Sequence, residues 1–576
     1  DRDQHVMPDA FVACDVNLPN FGKVVDARSL NASSVQLYRT TDHQPVPAVV
    51  NTSGAGDAIV LKPREPLDLN TKYTFEVTSA TTDTGGAGFA PYKITFTTAA
   101  HVNFVTLPIG FQKVALPQTD GNMYTCVEVG PDHRLYASTL DGRIIRYTID
   151  PDGTLGPPQT IKTVQQANGG PRLITGIKFD PSATAENLIL WVNHGQLPPL
   201  HSESDGQGMI RGAAEWTGRL SRLSGPDLSD YQDYLVHLPR GWKDHLNNQM
   251  AFGPDVAMYF CQAANTAMGA PDHKWGFRPE RLLTAAVLRV DLKAITHPPL
   301  DVQTEEGGHY DPYAPGAPVT LYATGIRNSY DILWHSNGWM YCGINGSAAG
   351  GNAPGTPKDF SKIHRPDESL HGPYTGPRVP ALWNVRETED DFLFKIEPGG
   401  YYGHPNPVRG EYVLDGGNPT NGADTAEITE YPVGTQPDRN WRGYAYSFGK
   451  NLSPCGVIEY RSNAFGGALS GKILFVRYSG GDDIIALTPN PSGDITEALT
   501  GIAGFTGFVN PVDLIEDIRS GDIYVAEFGA KRLTLLRPLP GTLAASPRVC
   551  REEVGAPRSS DVAHKPSSGS TSASAR

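Results

Sequence analysis

The sequence predicts an all-β chain in which a small β-sandwich precedes a six-bladed β-propeller. Three observations predict it. Glycine and proline are abundant and dispersed, 62 and 48 of 576 residues, which favours short strands joined by turns over long helices. Across residues 103–538 one unit recurs: an apolar strand, a turn of Asp, Gly or Pro, and a strand carrying an aromatic residue. That is the inner hairpin of a propeller blade, and about 435 residues at roughly 70 per unit make six blades. Finally, the composition changes on either side of this region.

Residues 1–99 form the first domain. SVQLYRT, AIVLKP, KYTFEVTS and YKITFTT are short alternating strands with polar turns between them, the pattern of a β-sandwich. The stretch PLDLNTKYTFEVTSATTDTGG, followed by FAPYKITFTT, resembles the Ig-like modules of bacterial secreted and surface proteins. That resemblance implies spacing or docking. Residues 97–101 read as a linker. The blade unit then appears as VEVGPDHRLYAS at 127–138, IKFDPSATAENLILWVN at 177–193 and MAFGPDVAMYFCQ at 250–262. It returns as ILWHSNGWMYCG at 332–343, ALSGKILFVRYSGGD at 468–482 and LIEDIRSGDIYVAEFG at 514–529. Residues 202–225 read as an insertion loop. From residue 540 the chain is rich in Ser and Ala and lacks aromatic residues, so 540–576 reads as a disordered tail.

The hairpin at 324–351 organises the propeller. Tyr330, Ile332 and Trp334 alternate with Asp331 and Leu333, the period of a strand. His335-Ser336-Asn337-Gly338 reads as the turn, with Asn-Gly supplying positive φ. Trp339 to Cys342 return. The hairpin brings Arg327 and Asn328 beside Asn345-Gly346-Ser347, a corner suited to an anionic or metal-bound ligand.

The formal net charge of −14 argues against a nucleic-acid partner, because phosphate binding needs a basic surface. Any site for an anion must be locally basic. No apolar run approaches the ~20 residues of a membrane span. The first residue, Asp1, implies a mature product whose signal peptide has been removed, and hence a secreted or periplasmic protein. None of the six cysteines forms a CxxC pair, which argues against a zinc ribbon. Cys261 and Cys342 close similar strands, so a disulfide and a pair of buried thiols both remain open.

Ligands of propellers sit at the mouth of the central channel, so polar residues flanking the inner strands are the candidates. His245 enters an inner strand, where a neutral imidazole can accept a hydroxyl proton, with Asp244 to orient it. Arg327 can grip a carboxylate through two parallel hydrogen bonds. Arg172 occupies the equivalent corner of an earlier blade. His404 lies in a sharp Gly/Pro loop, a setting in which a structural role is the commoner one.

These segments resemble the pyrroloquinoline-quinone-dependent sugar dehydrogenases, the family of soluble glucose, aldose, sorbosone and pyranose dehydrogenases. The residues carrying the resemblance are WKDHLNNQMAFGPDVAMYF, LLTAAVLRVDL, LYATGIRNSYDILWHSNGWMYCGINGSAAGG, RLITGIKFDP and EPGGYYGHPNP. It implies oxidation of a sugar or related alcohol by hydride transfer to the quinone, with His245 as the base beside Asp244. Arg327, Asn328 and Asn345 would hold the cofactor, and Arg172 would face substrate or cofactor. Calcium would be bound by the main-chain oxygens of Gly346 and Ser347. The chain departs from the family in two respects: the acidic run that follows the calcium loop in glucose dehydrogenases is replaced by Ala348-Ala349-Gly350-Gly351, and paired last-blade arginines are missing. The last-blade stretch Gly507–Asp513 carries no arginine, leaving Arg477 as the substitute. Two other readings stand beside this one: a non-catalytic propeller that binds carbohydrate or protein, and a propeller hydrolase or lyase acting on polysaccharide.

Overall fold

The computed structural model describes residues 6, 10–16, 18, 23–53, 56–100, 104–107, 109–198, 211–363, 374–420, 424–539 and 548–554. The first domain is an Ig-like sandwich of two three-stranded antiparallel sheets. Ala58–Pro63 is the centre of one, between Val12–Asp15 and Ala48–Thr52. Lys72–Val77 is the centre of the other, between Val35–Arg39 and Tyr92–Thr97. Their apolar faces meet in a core that includes Val35, Leu37, Ile59, Leu61, Tyr73 and Phe75.

Six sheets follow, antiparallel except for the parallel pairing of Leu300–Asp301 with Asp230–Leu238 in the second. Each contains one of the repeated units, though in the fifth the unit supplies the second strand, Ile473–Arg477, rather than the inner hairpin. Their first strands are Tyr124–Val129, Arg172–Phe179, Asn247–Phe252, Ile332–Trp334, Pro454–Glu459 and Pro511–Asp517. Each packs against the first strand of the next sheet, and Pro511–Asp517 packs against Tyr124–Val129. The fold is a six-bladed β-propeller. An inner strand has one edge without a ladder partner inside its own sheet, so its amides need acceptors from elsewhere. Neighbouring blades supply them. Val127 N–H donates to Asp513 at 2.8 Å, Ile177 N–H to Gln249 at 2.7 Å and Val457 N–H to Asp331 at 2.9 Å. Phe111–Ala115, from the start of the propeller, pairs with Arg532–Pro538 as the outer strand of the sixth blade.

Several expectations change. Arg548–Glu553, assigned from composition to the tail, is a strand that extends the fifth blade between Ile495–Thr500 and Phe104–Thr106. Val549 and Cys550 are buried there, and these few apolar side chains are enough to dock a strand on a ready-made edge. Residues 555–576 lie outside the described residues. Gly218–Ser224, read as part of an insertion, is the third strand of the second blade; 202–210 lie outside the described residues. The long excursions run instead through residues 263–285, 344–363, 374–390, 397–420 and 424–445. In the 332–343 hairpin only Gly338 takes positive φ, +90°. Asn337 instead accepts the Trp339 N–H on its side chain at 3.1 Å. Tyr330 is not in the strand; its phenol crosses the channel to the carbonyl of Thr125 at 2.6 Å. All six cysteines are free thiols.

Candidate functional site at the propeller mouth

Residues of all six blades, from inner strands and the loops beside them, surround a cavity of about 110 Å³ in the channel. Its polar lining includes Asp244, Asn248, Asn328 and Asn345, and its aromatic lining Tyr330, Tyr478 and Phe528. Asp244 is exposed to this space, yet it sits deep in the recess. Burial raises its carboxyl above the ordinary value, opposed by Lys243, its own amide, Arg327 and Arg240. No hydrogen bond joins the Asp244 carboxylate to another described residue. Asn345 presents a second acceptor in the same state: its buried Oδ1 has no partner. Asn328 accepts from Asn248 Nδ2 at 2.7 Å through its own Oδ1, which leaves its amide NH₂ for the cavity.

His245 stands behind this cavity rather than in its wall. It is buried, and Nδ1–H donates to the carbonyl of Ala264 at 2.9 Å. Burial, then the charge of Arg327, hold the imidazole well below its ordinary value. It is neutral at pH 7 and its unprotonated nitrogen is Nε2. The Trp275 indole covers the ring, with centres 3.9 Å apart. Trp275 belongs to the 263–285 excursion and reaches this position because the Asp272 carboxylate accepts its N–H at 3.0 Å. Lys243 and Arg327 also approach the indole, at 5.2 and 5.5 Å from its centre.

Arg327 does meet the 345–347 loop, as the hairpin argument requires. It is spent on main-chain oxygens: Ala267 at 3.0 Å, Asn345 at 2.9 Å and Gly346 at 3.2 Å. The carbonyl of Ser347 accepts the Glu389 N–H at 2.8 Å. Acidic side chains hold the same loop from below, through Gly346 N–H to Asp391 at 2.7 Å and Ser347 N–H to Glu389 at 2.8 Å. Arg172 does not join the group. Its Nε donates to His194 at 3.1 Å and its Nη2 to the carbonyl of Thr217 at 2.7 Å. Burial, then Arg219, bring its guanidinium down to about 10. His404 is buried against Glu280 at 3.0 Å, in a structural network with Thr266 and Thr284. Arg477, the substitute for a last-blade arginine, forms a double ion pair with Asp483 at 2.7 and 2.6 Å.

The first domain supplies residues that the sequence did not flag. The turn between its strands Ala48–Thr52 and Ala58–Pro63 lays Asp57 over the propeller mouth. Asp57 pairs with Lys274 at 3.4 Å, and both side chains are under 10% exposed, at 9% and 6%. Burial alone would raise the Asp57 carboxyl; Lys274, Lys243, Ser53 and Arg327 outweigh it and hold it below the usual carboxylate range. No local pattern marks Asp57, because its partner lies 217 residues away.

These positions do not fit the group that the resemblance implies. A planar tricarboxylate needs an open basic cleft. Here the imidazole face is covered by Trp275, Lys274 already pairs with Asp57, and the open cavity presents the Asp244 carboxylate. A calcium ion needs six to eight hard oxygens, whereas the Gly346 oxygen already faces the Arg327 cation. Among the described residues, no group of three or more His, Cys, Asp or Glu side chains is arranged to hold a metal ion.

Residues 19–98 match the family model of the bacterial Ig-like domain, Big_5. No curated protein sequence matches the chain. Solved structures to which it is similar include the PQQ-bound aldose sugar dehydrogenase of Streptomyces coelicolor, at 14% identity and TM-score 0.41, over 75% of this chain and 98% of that one. The PQQ domain of pyranose dehydrogenase from Coprinopsis cinerea aligns at 10% identity and TM-score 0.43, over 76% and 97%. An auxiliary nutrient binding protein of Bacteroides ovatus aligns at 11% identity and TM-score 0.34, over 94% and 99%. At these scores the likenesses bear on neither substrate nor cofactor. Among the described residues no helix is long and apolar enough to cross a membrane.

Proposed function

We propose that the propeller mouth binds a small neutral polyhydroxylated molecule of the sugar class, in a secreted or periplasmic protein. One observation carries this reading. The cavity holds two acceptors without partners among the described residues, the Asp244 carboxylate and Asn345 Oδ1. Unpaired buried acceptors call for a ligand rich in donors. Hydroxyls and amines both qualify, but Lys243, Arg327 and Arg240 act on Asp244 from nearby and disfavour a cationic amine. Tyr330, Tyr478 and Phe528 provide apolar walls for C–H faces. The test is calorimetric titration of the full chain with a panel of monosaccharides and polyols. Asp244→Asn and Asn345→Ala should each weaken binding about tenfold or more, the loss of one hydrogen bond to a charged or buried acceptor. Binding unaffected by both substitutions defeats the reading.

The oxidoreductase reading keeps one specific support. His245 is neutral, with Nε2 available to accept a proton, and Asp244 and Arg327 lie near it. Sugar oxidation by this chain requires Trp275 and the Asp57 turn to move away first. Dye-reducing activity after addition of pyrroloquinoline quinone and calcium, lost in His245→Ala, would favour it over simple binding. Absence of quinone uptake by absorbance and mass would remove it.

A further inference from the structure

The seam between the two domains has a composition that simple docking does not need. On the propeller side, Lys243 and Lys274 are 6% and 8% exposed. The Lys243 ammonium makes no hydrogen bond to a described residue; its neighbours are the Trp275 face at 5.2 Å and the charges of Asp57, Asp244 and Asp272. Lys274 donates to the carbonyl of Ala349 and pairs with Asp57. From the Ig-like side comes Asp57, its Oδ1 held by the Ser53 hydroxyl at 2.8 Å; a second carboxylate, Asp15, lies near enough to feel the charges of Asp57 and Lys274. A gap of about 10 Å³ remains beside Asp57, Lys243 and Lys274. Elsewhere among the described residues the seam includes Phe11 packed against the propeller core that holds Tyr341 and Phe475, an Asn451–Asp15 hydrogen bond and further polar contacts. His273 meets the Leu18 carbonyl at 3.1 Å, Asn51 donates to Asn510 at 3.2 Å, and Thr388 donates to Asp15.

Two buried ammonium groups, Lys243 over the Trp275 indole and Lys274 beside it in sequence, are costly without an anion. On the propeller, that arrangement is a carboxylate-binding site, and Asp57 is the carboxylate in it. We propose that the Ig-like domain is a tethered lid whose Asp57 fills a carboxylate site formed by Lys243 and Lys274, and that a soluble carboxylate ligand displaces it. Because the lid is part of the chain, its effective concentration is of millimolar order. A free carboxylate therefore binds with an apparent affinity reduced by the fraction of molecules that are closed. This site is separate from the channel-mouth cavity and does not rest on the polyol reading.

The experiment titrates citrate into the full chain by calorimetry at fixed ionic strength. The natural chain is compared with Asp57→Asn and with Asp57→Asn/Lys274→Met. Asp57→Asn should bind citrate at least tenfold more tightly than the natural chain, and the added Lys274→Met should abolish the gain. Equal affinity in the natural chain and Asp57→Asn, no binding to either, or a gain that survives Lys274→Met would each overturn the proposal. Should Asp57→Asn fail to fold, the natural chain answers the same question. Saturating citrate must speed amide hydrogen exchange across residues 48–63, and unchanged exchange there would overturn it.

Discussion

Asp482 offers a clean test of how the propeller holds its buried carboxyls. It lies in a turn of the fifth blade with φ of +45°, is 5% exposed, and accepts the Asn510 N–H of the sixth blade at 2.8 Å. Burial, with Asp483 and Glu527 adding to it, pushes its carboxyl up to about 7. In the unfolded chain an Asp titrates near ~3.9. The folded value is the higher one, so the contribution to stability is complete below the unfolded value and is lost as pH rises through about 7. Between pH 8 and pH 5 that is roughly two units of titration, on the order of 2–3 kcal/mol. Asp482→Asn removes the titration but keeps the acceptor, and Asn tolerates positive φ. His245 and His194 are held well below their ordinary value, so their contribution falls on acidification, but it does so equally in both proteins. Urea unfolding of the full chain at pH 5 and pH 8 should show the natural protein gaining about 2–3 kcal/mol more than Asp482→Asn on moving to pH 5. A double difference below about 0.5 kcal/mol would refute the assignment of a proton to this carboxyl.

Three further outcomes are expected. Trp275→Ala should cost about 3–5 kcal/mol and make His245 reactive toward diethyl pyrocarbonate, read by peptide mass; an unreactive His245 would mean that the indole is not its cover. Tyr330→Phe leaves the Thr125 carbonyl without its donor and should lower unfolding stability by about 1–3 kcal/mol; no loss would show that the channel-crossing bond contributes nothing. Glu280 is held down to about 2 by His404, Thr266 and Thr284 against its burial. Its stabilisation is therefore present above its unfolded value and lost as pH falls through about 2. Glu280→Gln should cost about 3–5 kcal/mol at pH 7, with the gap to the natural chain closing in acid; a gap independent of pH would refute the ionised carboxylate.

The blade hairpins were legible because each is local. Two apolar strands and a turn of Asp, Gly or Pro carry their own signal, and MAFGPDVAMYFCQ folds as the strands Asn247–Phe252 and Met258–Gln262. The meeting of Arg327 with Asn345 and Gly346 was legible for the same reason, since one hairpin joins them. What the sequence concealed is long-range. Arg172 shares a motif position with Arg327, but its neighbours are His194 and Thr217, which its own blade dictates. Trp275 sits in an excursion without strand periodicity, so nothing local aims it at His245. The strand Arg548–Glu553 exists because an edge at Ile495–Thr500 awaits it, not because its own residues demand one.

Charge explains why the two domains meet where they do. A chain of net charge −14 repels most anions at a distance, so a patch of buried cations on its surface is best neutralised by the chain itself. Lys243 lies on a loop at the mouth and Lys274 on the 263–285 excursion, and Asp57 immediately precedes the strand Ala58–Pro63, at the end of a hairpin that faces them. Had the interface evolved for attachment alone, apolar contact would have sufficed without burying ammonium groups beside an indole. The seam instead puts the Asp57–Lys274 ion pair beside Lys243, whose ammonium lies 5.2 Å from the centre of Trp275, the ring that covers His245. Opening the first domain would take the Asp57 charge away from Lys243 and Lys274, while Trp275 keeps its bond to Asp272.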